Sequence, residues 1–466
     1  MSAVLEQEQP TVRATPHRSL RATIAQMLEV LAVLLAALTV LWGPLAQGST
    51  FGWGRSGLTL LGLLTTAGML VALAVRGRLP ERSGPWPLVA VALLAWIWLS
   101  VRWAPTQSDA LRSAALWTGI LGTALTIQLL ARGWRLWLGL GALLLAGATA
   151  LVLAYLQTRG FMVPGYTYDP TAGIRVLTGP YFNASHFSGF LIVISALLMG
   201  LVLFTRLHLH TLVLLTLLTV LHMVNIKTDS SSIPAVLLAS AMPFLVWVWT
   251  RQRWMGLVLT LVLLGGSLVA GQRFLTPQGQ AIFAKYQLQL GLHNQWEKFF
   301  HIRQAVWRYG RTMWAEHPMT GLGTGQFYNE APHYRASERA VGAGIDRLAV
   351  NYAHNDALQV GAELGLPGVA LYALVVVLPL TRRGRSLPRL LWWSTLPAML
   401  LAGTYDAHLT AIPGTAIAAL SLAALAAAPG PRNQRAQRGL TNSDADDADL
   451  SVSTSDSDRN LSGLSA

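Results

Sequence analysis

The sequence predicts an all-α fold, a polytopic membrane helical bundle of about twelve transmembrane helices carrying one large external helical loop. Of 466 residues, 53% are hydrophobic and only 12% charged, too apolar a balance for a domain whose whole surface must meet water. Apolar runs of about 20 residues, the length a helix needs to cross roughly 30 Å of hydrocarbon, recur along most of the chain. Strand-length alternation does not recur, which argues against a barrel. Arginines mark every second loop between these runs, as a chain threaded back and forth through a bilayer requires.

Residues 1–23 are polar, and Arg13, Arg18 and Arg21 precede an apolar run too long for a cleaved signal peptide. They read as a cytoplasmic segment ahead of a retained first span. Spans then fall at about 24–46, 57–75, 86–102, 113–131, 136–156, 186–205, 209–226, 232–249 and 255–271, the first part of the bundle (24–271). Three more, at about 364–381, 390–404 and 410–428, make its last part (364–428). Residues 272–363 between them form the large external loop, which holds most of the candidate chemistry. The remainder, 429–466, is rich in Ser and Asp with almost no large apolar residue, and reads as a disordered cytoplasmic tail.

Orientation follows from Lys and Arg, which short cytoplasmic loops retain. Arg76, Arg78 and Arg82 lie in one such loop, Arg132 and Arg135 in the next, then Arg206, then Arg251 and Arg253, then Arg382, Arg383 and Arg385. With Arg432, Arg435 and Arg438 after the last span, both termini are expected in the cytoplasm. Loops 157–185, Lys227–Ser231, 272–363 and Tyr405–Leu409 are then external, and Arg55 and Arg112 lie outside against the trend. Topology therefore accounts for the net charge of +13 without a nucleic-acid partner. The absence of cysteine excludes disulfides, thiolate metal sites and cysteine nucleophiles. Trp86, Trp103, Trp134 and Trp254 lie near span ends, where an amphipathic ring suits the headgroup region.

The external loops carry the candidate chemistry. In Gly173–Phe187, which leads straight into a span, Arg175, Asn183 and His186 form either an anion site at the mouth of the bundle or a surface arginine beside a helix start capped by Asn183 or Ser185. In the large loop, Phe299, Ile302, Val306, Tyr309 and Met313 recur at helical spacing, which predicts an amphipathic helix over about 295–316. Arg303, Trp307 and Arg311 fall on a neighbouring face, as a binding surface or a solvated stripe. Gly321, Gly323 and Gly325 follow no strand and so read as a tight turn, not a nucleotide loop. Asn355 is placed to cap a short helix with Asp356 in its first turn, and Gly365 and Pro367 break the chain before the next span. His354 then sits outside, near the membrane, as a structural or a chemical histidine. His293, His301, His317 and His333 lack ligand spacing, so a metal site is not expected.

Together these residues resemble the O-antigen ligase family, polytopic enzymes that move a glycan from a polyprenyl diphosphate carrier to an acceptor outside the cytoplasmic membrane. The family's terminal signature is met by His354-Asn355, nine intervening residues, Gly365 and Gly368. The Arg303–Trp307 helix, the Pro318–Gly323 turn and the Gly179–Asn183 mouth also look like family segments in the expected order, and the resemblance covers roughly residues 165–380. It departs where the family often carries Ser-Arg-Gly at the external end of a central span: this chain has Thr228-Asp-Ser-Ser-Ser232, with Lys227 as the nearest cation. A lysine lacks the bidentate fork of arginine.

The resemblance implies a GT-C-like bundle and transfer of a glycan from a polyprenyl (undecaprenyl) diphosphate to an acceptor hydroxyl, in polysaccharide or lipopolysaccharide assembly at the cell envelope. His354 would be the base, and Arg175 and Arg303 would hold the diphosphate and stabilise the charge that develops as the glycosyl bond breaks, with Arg311, Asn183 and His186 also at the donor. Asn355, Gly365 and Gly368 complete the motif. Metal and cofactor are not implied. The expected partners are the lipid-linked glycan donor, membrane lipid, and an acceptor that is a glycan, a lipid or a protein. A polymerase would use the same parts; a transporter would place ionisable residues near span centres, whereas most charges here lie in loops. Tags at Gly84 and Arg385 should report cytoplasm and tags within 275–290 the outside; swapped signals would overturn the orientation.

Overall fold

The computed structural model describes residues 20–77, 79–80, 84–168, 176–205, 208–274, 276, 281, 296–334, 350–381 and 385–428. Among them run α1 (Leu20–Leu45), α2 (Gly52–Arg76), α3 (Trp86–Ser100), α4 (Gln107–Leu130), α5 (Arg135–Thr158), α6 (Ala184–Phe204) and α7 (His208–Lys227). Then follow α8 (Ile233–Arg251), α9 (Arg253–Phe274), α10 (Trp296–Glu316), α11 (Phe327–Tyr334), α12 (Asp356–Thr381), α13 (Leu387–Ala402) and α14 (Pro413–Ala427). All twelve apolar stretches fall on helices; the other two, α10 and α11, belong to the large loop. Seven of the described helices (α1, α2, α4, α5, α6, α8 and α12) are long and apolar enough to cross a membrane, and shorter apolar helices accompany them. The fold is an all-α polytopic bundle. The tail beyond Ala428 and the residues before Leu20 lie outside the described residues.

Helix α14 is the axis. Every residue from Pro413 to Ala427 is buried, and α1, α4, α5, α6, α12 and α13 all pack on it. Its sequence explains this: alanines and other small side chains let neighbouring backbones approach closely, where dispersion replaces the hydrophobic effect as the packing force. The same principle sets the crossing of α2 with α4. A Cβ on Gly62 would lie 2.5 Å from the Cα of Gly119, so the two helices touch backbone to backbone there.

At the opposite end of α1 and α2 from their connecting turn, the Glu29 carboxylate accepts from Arg76 at 2.8 Å and Arg135 at 2.7 Å, pinning α1, α2 and α5. Arg389 donates through Nε to the Ala426 carbonyl at 3.1 Å, satisfying an orphan carbonyl at the end of α14. The tryptophans divide. Trp134 and Trp254 are exposed, as interfacial anchors should be. Trp86 is not an anchor: it is fully buried and donates to the Val375 carbonyl at 2.8 Å, locking α3 onto α12.

Gly62→Ala should force α2 and α4 apart at an overpacking cost of about 1 to 3 kcal/mol. Gly141→Ala, where a Cβ meets nothing within 4 Å, should cost nothing. Thermal unfolding of the detergent-solubilised protein checks this; equal melting points for the two variants would contradict the close crossing.

Candidate active site

The site is assembled by a clasp between the 317–326 turn and a broken helix. Gly365 adopts φ 64° and ψ −168°, dividing α12 into a short outer helix and an inner span. Across that break Leu322 N–H donates to the Ala362 carbonyl at 2.9 Å, Gly323 N–H to Glu363 at 2.8 Å, and Leu366 N–H to Pro318 at 2.8 Å. There is no room for side chains here: a Cβ on Gly365 would lie 2.4 Å from the Met319 carbonyl carbon, and one on Gly321 would lie 2.3 Å from that of Glu363. Gly321, Gly323 and Gly325 all have positive φ, as a tight turn demands. The Glu363 carboxylate holds the far side of the turn, accepting from Gly325 N–H at 2.9 Å, Phe327 N–H at 3.2 Å and Gln359 Nε2 at 2.8 Å.

Helix α10 lies on this frame through Val306, Tyr309 and Met313, which pack with Phe327, Ala353 and Ala362. That burial turns Arg303 inward and leaves Arg311 exposed. Asn355 caps α12 as its position predicts, accepting from Leu358 N–H at 3.0 Å. Its Nδ2 donates to the Thr404 carbonyl at 2.9 Å, and Asp356 N–H to Gly403 at 2.9 Å. Asp356 Oδ1 accepts from Leu409 N–H at 3.1 Å and from the Thr410 hydroxyl at 2.7 Å. The turn between α13 and α14 is thereby stitched to the residues after His354, which sets Asp406 against it.

Asp406, fully buried, is the centre of the cluster. His354 donates from Nδ1 to Asp406 Oδ1 at 3.0 Å, while Arg303 Nη2 and His408 Nε2 each lie 3.9 Å from Oδ2. The Tyr352 ring stands 4.1 Å from that of His354, and its hydroxyl hydrogen-bonds His186 Nε2 at 2.8 Å. His408 hydrogen-bonds Ser232 at 3.0 Å, which brings in the Thr228–Ser232 turn. Trp307 Nε1 donates to the His354 carbonyl at 3.1 Å and helps hold His354 at φ 49°, a left-handed conformation that a non-glycine residue adopts at a cost. Burial and then Arg303 push the His354 imidazole down to about 4, against the pull of Asp406. Burial works to raise Asp406, but His408, the His354 hydrogen bond and Arg303 together hold it well below the ordinary carboxylate range. The pair at neutral pH is therefore a carboxylate and a neutral imidazole, with Nδ1 occupied and Nε2 left for a ligand.

A cavity of about 990 Å³ opens beside the cluster, reached through Tyr352 and His186. Of the residues singled out in the sequence, His354, Arg303 and His186 come together. Asn183 is the cap of α6, accepting from Ser185 N–H at 2.7 Å. Asn355, Gly365 and Gly368 build the frame; a Cβ on Gly368 would meet Leu364 Cβ at 2.2 Å. Arg175 lies outside the described residues. Lys227 is exposed, its carbonyl accepting from Leu177 N–H at 3.0 Å.

A sequence model of the O-antigen ligase family matches residues 212–373, a stretch that contains Arg303, His354, Gly365 and Gly368. The match supports the O-antigen ligase family for that segment of the chain. No curated protein sequence matches it significantly. The apolar helices make the chain a multi-pass membrane protein, and the matched segment supports an enzyme of the general ligase or glycosyltransferase type. Asp406 and His408 fall beyond the matched segment, in a short loop that sequence reading treated only as a connection. Their one signal was a carboxylate and an imidazole two residues apart in a turn between two apolar helices, where neither has a structural reason to be.

Proposed function

We propose that this protein transfers a glycan from a polyprenyl diphosphate carrier to an acceptor hydroxyl on the outer side of the cytoplasmic membrane. The observation that carries the reading is the His354–Asp406 pair, set behind Tyr352 and His186, which line the cavity. The acceptor hydroxyl gives its proton to His354 Nε2 as its oxygen forms a bond to the anomeric carbon. The bond from that carbon to the diphosphate breaks, and the diphosphate leaves with the electron pair. Asp406 stabilises the imidazolium that forms and keeps the ring in the productive tautomer. Arg303, and Arg175 from the preceding loop, stabilise the charge growing on the leaving group. A lipid-borne diphosphate suits an outward-facing site, since it brings its activation with it and needs no nucleotide sugar. Ligase and polymerase differ here only in whether the acceptor is another molecule or a second lipid-linked glycan.

His354→Ala should lower transfer by about 10²-fold to 10⁴-fold while the protein still inserts and binds donor. Asp406→Asn should also lower transfer, because it disturbs the tautomer of His354 and removes the counter-charge of Arg303. Arg303→Ala should weaken donor use by about 1.5 to 3 kcal/mol, with Lys restoring only part. Glycan transfer and donor binding measured in the same membranes separate these roles, and an abundant His354→Ala protein that transfers normally would sink the mechanism.

A further inference from the structure

The cavity runs away from His354 into the angle between α2 and α4, above the level where Gly62 meets Gly119. Its deeper wall is apolar, formed by Leu60, Leu63, Leu116 and Ile120, and Leu60 and Leu63 also reach the outer surface of the bundle. Its rim is polar, with Arg55, Asp109, Arg112 and Asn329. A compartment polar at one end and apolar at the other, at membrane depth, has the form of a site for an amphipathic ligand.

The helix ends do not favour the two arginines on that rim. Arg55 is in the first turn of α2 and Arg112 in the second turn of α4, where the helix dipoles already present positive charge. Both also lie on the face that the basic loops predict to be external, where short loops rarely keep arginine. Asp109 and Glu363 are the acids that face Arg55, and both are engaged elsewhere. Asp109 pairs with Arg112 at 3.2 Å and accepts from Asn329 at 2.9 Å, while Glu363 is spent on the 317–326 turn and Gln359. The Arg55 guanidinium hydrogen-bonds no described residue. Arg303, in contrast, is buried, with Nη2 3.9 Å from Asp406 Oδ2.

We propose that Arg55, with Arg112 beside it, is an anion subsite for the phosphoryl group of a lipid-linked substrate. The hydrocarbon chain lies along Leu60, Leu63, Leu116 and Ile120, and the glycan extends past Asn329 toward Tyr352 and His186, where the reacting hydroxyl or anomeric carbon meets His354. The assignment rests on the glycosyl-transfer reading for the identity of the substrate, but not for the existence of the subsite. Its chemistry is shared by a polyprenyl diphosphate carrier and by a phosphorylated acceptor lipid. The guanidinium fork suits either, since it binds two phosphoryl oxygens at once.

The test is binding, in the His354→Ala background so that no turnover intervenes, with the full chain in phosphatidylcholine nanodiscs. The probes are undecaprenyl diphosphate, phosphatidate and inorganic pyrophosphate. Arg55→Gln, alone and with Arg112→Gln, should weaken a phosphoryl lipid by roughly tenfold to a hundredfold, the loss of one or more charged hydrogen bonds, with Arg55→Lys intermediate. Leu63→Trp, which fills the apolar wall without changing charge, should weaken the same lipid and leave pyrophosphate unaffected. Loss confined to undecaprenyl diphosphate assigns the subsite to the carrier, and loss confined to phosphatidate assigns it to a phosphorylated acceptor. Equal binding of both lipids by the parent and by Arg55→Gln protein overturns the proposal, as does retention of the lipid by Arg55→Gln with loss only of pyrophosphate. Normal transfer by His354→Ala protein would instead remove the base while leaving this binding result intact.

Discussion

The Asp406 carboxylate is buried where the bundle meets the large loop, and most of the surrounding architecture serves to make that burial tolerable. An isolated ionised carboxylate in a medium of low dielectric costs several kcal/mol at least, and neutralises unless it is paired. Asp406 keeps its charge because His354 donates to one oxygen while Arg303 and His408 face the other at 3.9 Å. The same arrangement works in return on His354, fixing its tautomer. Removal of Asp406 would leave Arg303 as a buried cation without its counter-charge, so the cluster is an electrostatic unit and not a set of separable contacts.

Close backbone approaches and short side-chain ties deliver these side chains. The turn at 317–326 grips the break in α12 through three main-chain hydrogen bonds where a side chain on Gly321 or Gly365 would collide with backbone. The Asp406 turn is tied to Asn355 and Asp356, and it feeds directly into α14, whose small residues let six helices converge. His408 is seated equally tightly: a Cβ on Gly189 of α6 would lie 2.3 Å from its Nδ1. Rigid seating of this kind holds a base in place before substrate arrives, which is what electrostatic preorganisation requires.

How much of this was legible in the sequence follows from the range over which each signal acts. Helices were legible because apolar length is local, and so were the Asn355 cap and the Gly365 break, each set by residues within a turn or two. His354 and Arg303 could be named, but their partner could not. Asp406 lies 52 residues beyond His354, and nothing in Tyr405-Asp-Ala-His408 marks it as buried. Asn183 and His186 sat on one loop with two readings, and geometry separated them: the first caps α6, the second reaches Tyr352. Trp86 misled because its place at a span end suggested an interface, whereas its indole N–H is used inside the bundle. Arg55 and Arg112 were visible only as exceptions to the charge pattern; the cavity they rim depends on a helix crossing that no local signal encodes.

The central claim is that His354 is a base already neutral across the physiological range, held so by burial and by Arg303 beside a permanently ionised Asp406. The pH dependence of kcat/KM for glycan transfer, measured with limiting donor and acceptor in one membrane preparation, reports the free protein and tests it most directly. A base works only when deprotonated, so the rate should stay level from about pH 8 down to about pH 6 and fall only as pH approaches the imidazole value of about 4. A half-point near 6.5, the value of an ordinary solvated histidine, or a rate that rises as pH falls through that region, would contradict the account.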